Sequence, residues 1–153
     1  MNKLICFLCF IFFIPIASAT ASCNISSISG VNFGNYNPLS FVVDNSAGSM
    51  TITCTNNIFA QAKANPDVTI ELSKGQSTTY SPRIMNNGTQ LLHYNLYVDA
   101  GRTKIWGDGT GETSVVTEHD CGSATVTVYG QISNGQNVKI GNYSDTITVT
   151  INF

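Results

Sequence analysis

The chain has 153 residues, of which 42% are hydrophobic and 10% charged, and a formal net charge of −2. A chain of this length builds one domain with a real core and leaves too little for two. Its lysines, arginines and acids stand singly along the sequence, so neither nucleic acid nor an anionic membrane surface is an expected partner.

Lys3 is followed by an almost wholly apolar run from Leu4 to Ile16, and Ala17-Ser18-Ala19 supplies the small residues that a signal peptidase requires. Residues 1–19 are therefore expected to be a secretory signal peptide, with cleavage after Ala19 or, two residues later, after Ala21. The apolar run, 13 residues long, is short of the roughly 20 that a membrane-spanning helix needs. The remaining residues, 20–153, are expected to fold as one domain. Cys6 and Cys9 leave with the signal peptide, so Cys23, Cys54 and Cys121 reach an oxidising compartment and one disulfide with one spare thiol follows. Three pairings are open. Cys23 with Cys54 is preferred, because both lie in or beside strand-like runs early in the domain. Cys121, within His119-Asp120-Cys121-Gly122, then reads as a buried or loop thiol.

Apolar residues next recur at every second position. Met50, Ile52 and Cys54 alternate with threonines; Val68, Ile70 and Leu72 with Thr69 and Glu71; Leu92, Tyr94, Leu96 and Val98 over a longer run; Val126 and Val128 with threonines. Strict alternation puts each apolar set on one face of a strand. Turn signals separate the runs at Asn56-Asn57, Lys74-Gly75, Asn86-Asn87-Gly88, Gly107-Asp108-Gly109 and Asn134-Gly135. A final run, Thr146 to Phe153, alternates again and carries none of the proline, lysine or glutamate that guards an exposed edge. The pattern predicts an all-β sandwich of two antiparallel sheets whose closing run is open to pairing with a strand from elsewhere.

Chemistry of other kinds has little to build on. His93 and His119 are the only histidines, and His93 falls on the opposite face of its strand from Tyr94 and Leu96. Asp108-Gly109-Thr110-Gly111 lacks the carboxylate series of a calcium loop. No enzyme, cofactor, metal or small-molecule substrate is expected. The strongest rival is a binding surface: Trp106 and Tyr97, beside the polar loop from Gly107, form a candidate platform for stacking a sugar. The competing reading makes Trp106 a core or sheet-edge anchor.

Several segments carry a family resemblance. Cys23 lies just inside the expected mature start, followed by Phe33-Gly34-Asn35-Tyr36, Thr51-Ile52-Thr53-Cys54, and Arg83 with Met85. Next come Leu92-His93-Tyr94-Asn95-Leu96-Tyr97-Val98-Asp99, Trp106-Gly107-Asp108-Gly109 and Val128-Tyr129-Gly130-Gln131-Ile132. Gly141-Asn142-Tyr143-Ser144-Asp145-Thr146 then leads into Val149-Thr150-Ile151-Asn152-Phe153. In this order and spacing the chain resembles the spore coat protein U domain family, which includes pilins of the archaic chaperone-usher pathway.

The resemblance implies an immunoglobulin-like sandwich that lacks its last strand and is completed by donor-strand complementation. A periplasmic chaperone lends a strand first, and at the outer-membrane usher another pilus subunit replaces it. Ile147, Val149, Ile151 and Phe153 are the expected inward residues flanking the groove. The implied location is the cell surface, reached through the periplasm, in a pilus or as a secreted protein, with adhesion and biofilm formation as the outcome. Only a few residues separate the expected cleavage site from Cys23, too few for a donor segment, which favours a tip or minor subunit. The alternative is a spore-coat or secreted carbohydrate-binding adhesive domain acting without a pilus.

Overall fold

The computed structural model describes residues 20–57, 66–119 and 121–153; the expected signal peptide, residues 1–19, lies outside them, as does Asp120. Among the described residues there are eight strands and no helix: β1 (Thr20–Ser29), β2 (Asp44–Asn57), β3 (Val68–Leu72), β4 (Arg83–Asn86), β5 (Leu91–Tyr97), β6 (Val116–Glu118), β7 (Ser123–Ile132) and β8 (Val149–Asn152). They form two antiparallel sheets, ordered β1-β2-β7-β5-β4 and β6-β3-β8. The fold is an all-β sandwich.

Alternation works as the sequence implies. Met50, Ile52 and Cys54 of β2, Val68, Ile70 and Leu72 of β3, Leu92, Tyr94 and Leu96 of β5, and Val126 and Val128 of β7 are all buried in one core. The threonines between them face outward, where Thr51 Oγ1 and Thr125 Oγ1 lie 2.9 Å apart across the β2–β7 pair. Fully burying one such aliphatic side chain stabilises by about 1.5 to 3 kcal/mol. The turn expected at Asn56-Asn57 is instead the end of β2, paired with Ala21 and Thr20.

β1, the strand-like run at Cys23, carries no alternation to mark its extent. From Ala21 onward every one of its side chains except Cys23 is exposed, Ile28 at 64%, so neither face carries an apolar stripe. The ladder to β2 holds it, and the register places Cys23 directly opposite Cys54, where the two form a disulfide.

The two sheets are stitched together along one flank. Trp106 N–H donates to Leu96 O at 2.9 Å, and Leu72 N–H donates to Gly107 O at 3.1 Å, so residues 106–107 bridge β5 and β3. Trp106 is completely buried and its Nε1 donates to Ile70 O at 2.9 Å. Arg83, equally buried, donates from Nε and Nη2 to Ser73 O at 3.0 and 2.9 Å, and from Nη2 to Trp106 O at 2.5 Å. Burial lowers the pKa of its guanidinium, against the pull of Tyr94, Tyr80 and Asp145.

The disulfide closes a loop with a sequence separation of 31 residues, for which chain entropy gives about 3 to 4 kcal/mol. The Cys23→Ser/Cys54→Ser variant is expected to lose about that much. Trp106 is the only tryptophan, so its fluorescence through a urea titration reads the loss directly, and a change under about 1 kcal/mol contradicts the assignment.

Candidate strand-accepting groove

One edge of the three-stranded sheet is open. β8 pairs with β3 through Thr69↔Asn152, Ile70↔Ile151, Glu71↔Thr150 and Leu72↔Val149, and with no other strand among the described residues. Its second edge therefore presents unpaired backbone donors and acceptors. In the facing sheet β1 is likewise an edge strand, paired with β2 alone.

Between these edges lies a cavity of about 320 Å³. Met50, Val128, Leu96 and Met85 form its floor on the five-stranded sheet, and Leu72 with Val149 belongs to the other sheet. Two irregular segments form its long walls. One runs on from β1 through Gly30, Val31 and Phe33; the other, Tyr143 to Ile147, leads into β8. A second cavity of about 700 Å³ shares Val31, Phe33, Met85 and Tyr143 with the first and extends toward Pro38 and Ile140, so the two are neighbours.

Glycines make the first wall possible. A Cβ on Gly48 would meet Ser29 O, Gly30 C at 2.8 Å and Val31 N at 2.9 Å, and one on Gly130 would meet Val31 Cγ1 at 2.6 Å and Phe33 Cζ at 2.7 Å. Only with both positions bare can the chain leave β1 and cross closely over β2 and β7. Phe33 then packs edge-on against Tyr94, with ring centroids 6.1 Å apart.

The second wall hangs from hydrogen bonds rather than a ladder. Ser144 exchanges backbone bonds with Asn86 of β4 at 3.0 and 3.2 Å, and four residues on Thr148 O accepts from Ser73 N–H at 2.9 Å. The chain thus switches sheets within four residues. Asp145 pins the switch: its Oδ1 accepts from Gln76 N–H at 2.9 Å and Thr146 N–H at 2.8 Å, and its Oδ2 from the Tyr94 hydroxyl at 2.6 Å. Burial, and then that bond, push the pKa of the Tyr94 hydroxyl up, so it stays a proton donor throughout the physiological range.

Of the four residues expected at the groove, Ile147 and Val149 line the first cavity. Ile151 is half-buried against the core and pairs with Ile70, and Phe153 is 57% exposed and lines neither cavity. Phe153 follows the last paired residue, Asn152, on the same face as Ile151. The expected stacking platform is corrected. Trp106 is fully buried and Tyr97 is 8% exposed, so neither offers a ring face to a sugar.

Cys121 is a buried free thiol whose pKa is raised by burial and then by Glu118. His93 is exposed, with its backbone N–H and C=O both held by the Gln136 side chain at 2.8 Å. Among the described residues no three His, Cys, Asp or Glu side chains gather as a metal site. Sequence reading missed the Asp145–Tyr94 clasp and the walls at 30–33, whose residues follow no period.

A family model described as the Spore Coat Protein U domain matches residues 10–150. Protein U of Myxococcus xanthus is 35% identical over 148 residues, covering 90% of this chain and 80% of that one. Among solved structures, the chain is similar to one in a chaperone–tip adhesion subunit pre-assembly complex of archaic chaperone-usher Csu pili of Acinetobacter baumannii. That likeness has 20% identity and a TM-score of 0.59, and covers 88% of this chain but only 40% of the other. It is a likeness of fold.

Gly130→Ala forces a Cβ against Val31 and Phe33. Overpacking of this kind costs about 1 to 3 kcal/mol, and the expected result is a urea midpoint lowered accordingly. Gly30→Ala, whose added Cβ meets nothing within 4 Å and whose backbone is not left-handed, is expected to cost nothing. Equal losses at the two glycines contradict the close-approach account of the wall.

Proposed function

The chain belongs to the Spore Coat Protein U domain family, and on that premise we propose that it is a structural subunit of a chaperone-usher surface pilus that accepts a donor strand. The observation that carries the reading is the geometry of the open flank. An unpaired β8 edge stands over an apolar trough, with walls already fixed by Gly48 and Gly130 on one side and Asp145 on the other. A guest strand there gains two things together: main-chain hydrogen bonds along β8 and burial of alternate side chains against Met50, Leu96 and Val128. Three anchors at about 1.5 to 3 kcal/mol each supply ample driving force. Exchange of one donor for another then runs downhill whenever the second buries more apolar surface, with no nucleotide consumed.

The partners in this reading are a periplasmic chaperone, the outer-membrane usher and other pilus subunits, and residues 1–19 are the signal that exports the chain. We assign it to a tip or minor position, with adhesion and biofilm formation as the biological outcome. Residues from Thr20 onward support that assignment, since they are already paired within their own sheet and are not offered to a neighbour. No catalytic step belongs to this role. A second reading, a coat component acting without a pilus, is favoured by the description of the family itself.

The two readings separate on purification of the full chain from a periplasm. The pilus reading expects poor recovery of the chain alone and a 1:1 complex when its chaperone is co-produced. Val149→Asp places a carboxylate beside the first cavity and is expected to reduce recovery of the complex at least about tenfold. Thr150→Lys, on the exposed face of β8 and opposite Glu71, carries a charge with no like-charge neighbour across the ladder and is expected to leave it unchanged. A stable, soluble monomer at undiminished yield overturns the pilus reading.

A further inference from the structure

The wall that leads into β8 keeps one period over its whole length. From Tyr143 to Asn152 every second residue is half-buried, namely Tyr143, Asp145, Ile147, Val149 and Ile151, and those between them are exposed. Tyr143, Ile147, Val149 and Ile151 pack against the core. Asp145 is the one charged residue that lines the first cavity. A strand laid along this wall therefore passes an apolar row interrupted once by a carboxylate.

An ionised carboxylate has about four acceptor positions. Gln76 N–H and Thr146 N–H take two on Oδ1, at 2.9 and 2.8 Å, and the Tyr94 hydroxyl takes one on Oδ2 at 2.6 Å. Oδ2 keeps one. An aliphatic side chain laid over it shuts that position off from water and bonds nothing, which costs more at a charged acceptor than at a neutral one. A guest carboxylate is repelled. A guest cation meets Arg83 as well, whose buried guanidinium lies within electrostatic reach of Asp145. A neutral donor, such as the hydroxyl of Thr or Ser or the amide of Asn, bonds Oδ2 without adding charge.

The same point fixes register. A slip of one residue turns a strand's apolar set outward, but a slip of two leaves it facing the trough. Apolar anchors alone thus tolerate shifts in steps of two, whereas a single buried polar pairing is satisfied in one alignment only, as an Asn in a coiled-coil core shows.

We propose that Asp145 sets the register and specificity of the trough: the accepted strand carries a neutral hydrogen-bond donor at the one inward position that passes this carboxylate, and apolar residues at the others. The inference rests on the strand-acceptor reading and names the sequence pattern of the strand that fits it. Donors that meet this requirement then differ in the apolar surface they bury.

A tethered strand tests it in the full chain, with every host residue unchanged. After Phe153 a two-residue Asn-Gly turn leads into an added strand of alternating Val and Thr, whose hairpin register against β8 places Val opposite Val149, Ile147 and Asp145. Trp106 fluorescence through a urea titration reads the stability, with a Gly-Ser extension of equal length as the reference. The added Val opposite each of the three is then replaced in turn by Thr, which keeps the shape and adds a hydroxyl. Opposite Val149 and Ile147 the change is expected to lower the folding constant about tenfold. Opposite Asp145 it is expected to raise that constant about tenfold. A loss opposite Asp145 like that at the other two, or no change there, overturns the register proposal and leaves the strand-acceptor reading standing. A Val–Thr strand that adds no stability over the Gly-Ser extension overturns the strand-acceptor reading itself.

Discussion

An unpaired backbone edge beside exposed core is the constraint on which this structure turns. Each main-chain N–H and C=O must find a partner, and each apolar side chain left facing water forgoes its share of the hydrophobic effect. A self-contained sandwich leaves the outer backbone of its edge strands to water and covers the core between its sheets. Here Trp106 and Arg83 bond both sheets, while the outer edge of β8 is unpaired beside a trough of apolar side chains. The same missing element opens the edge and uncovers the core, so a single extended segment satisfies both.

Sequence and structure agree where a residue's role is set by a period, and part where it is set by a crossing. β2, β3, β5 and β7 were readable because one face of each is buried and the other is wet. β1 was readable only around Cys23, since its other side chains are exposed and its ladder, the disulfide and the Ser26 hydroxyl hold it. β4 was equally hidden: its inward residues are Arg83 and Met85, and a cation at a core position defeats any hydrophobic count. Trp106 was read both ways, as a platform and as an anchor, because an aromatic beside a glycine loop fits either; burial and the bond to Ile70 O make it an anchor. The two glycines of the groove wall follow a third logic. They are needed because another segment crosses at close range, which sequence spacing does not encode.

The open flank also explains why the rest of the molecule is held so firmly. Binding a strand costs the order imposed on both partners, and any freedom left in the groove walls is lost at that moment. Here the walls are fixed in advance by contacts outside the groove. Gly48 and Gly130 seat residues 29–33, Asp145 takes hydrogen bonds from Tyr94 of β5 and from Gln76 beyond β3 that bind the sheet switch, and the disulfide ties the polar edge strand from which the first wall departs. None of these contributes much apolar burial. Their effect is to keep the trough shaped when nothing occupies it, so that the gain from a guest's side chains is not spent on reorganising the host. An acceptor that had to assemble its walls around each donor would bind more weakly and discriminate less, since every donor would bear the same ordering cost. With the walls standing, differences between donors appear almost wholly as differences in the surface they bury, which is the condition under which one strand can displace another in a fixed direction.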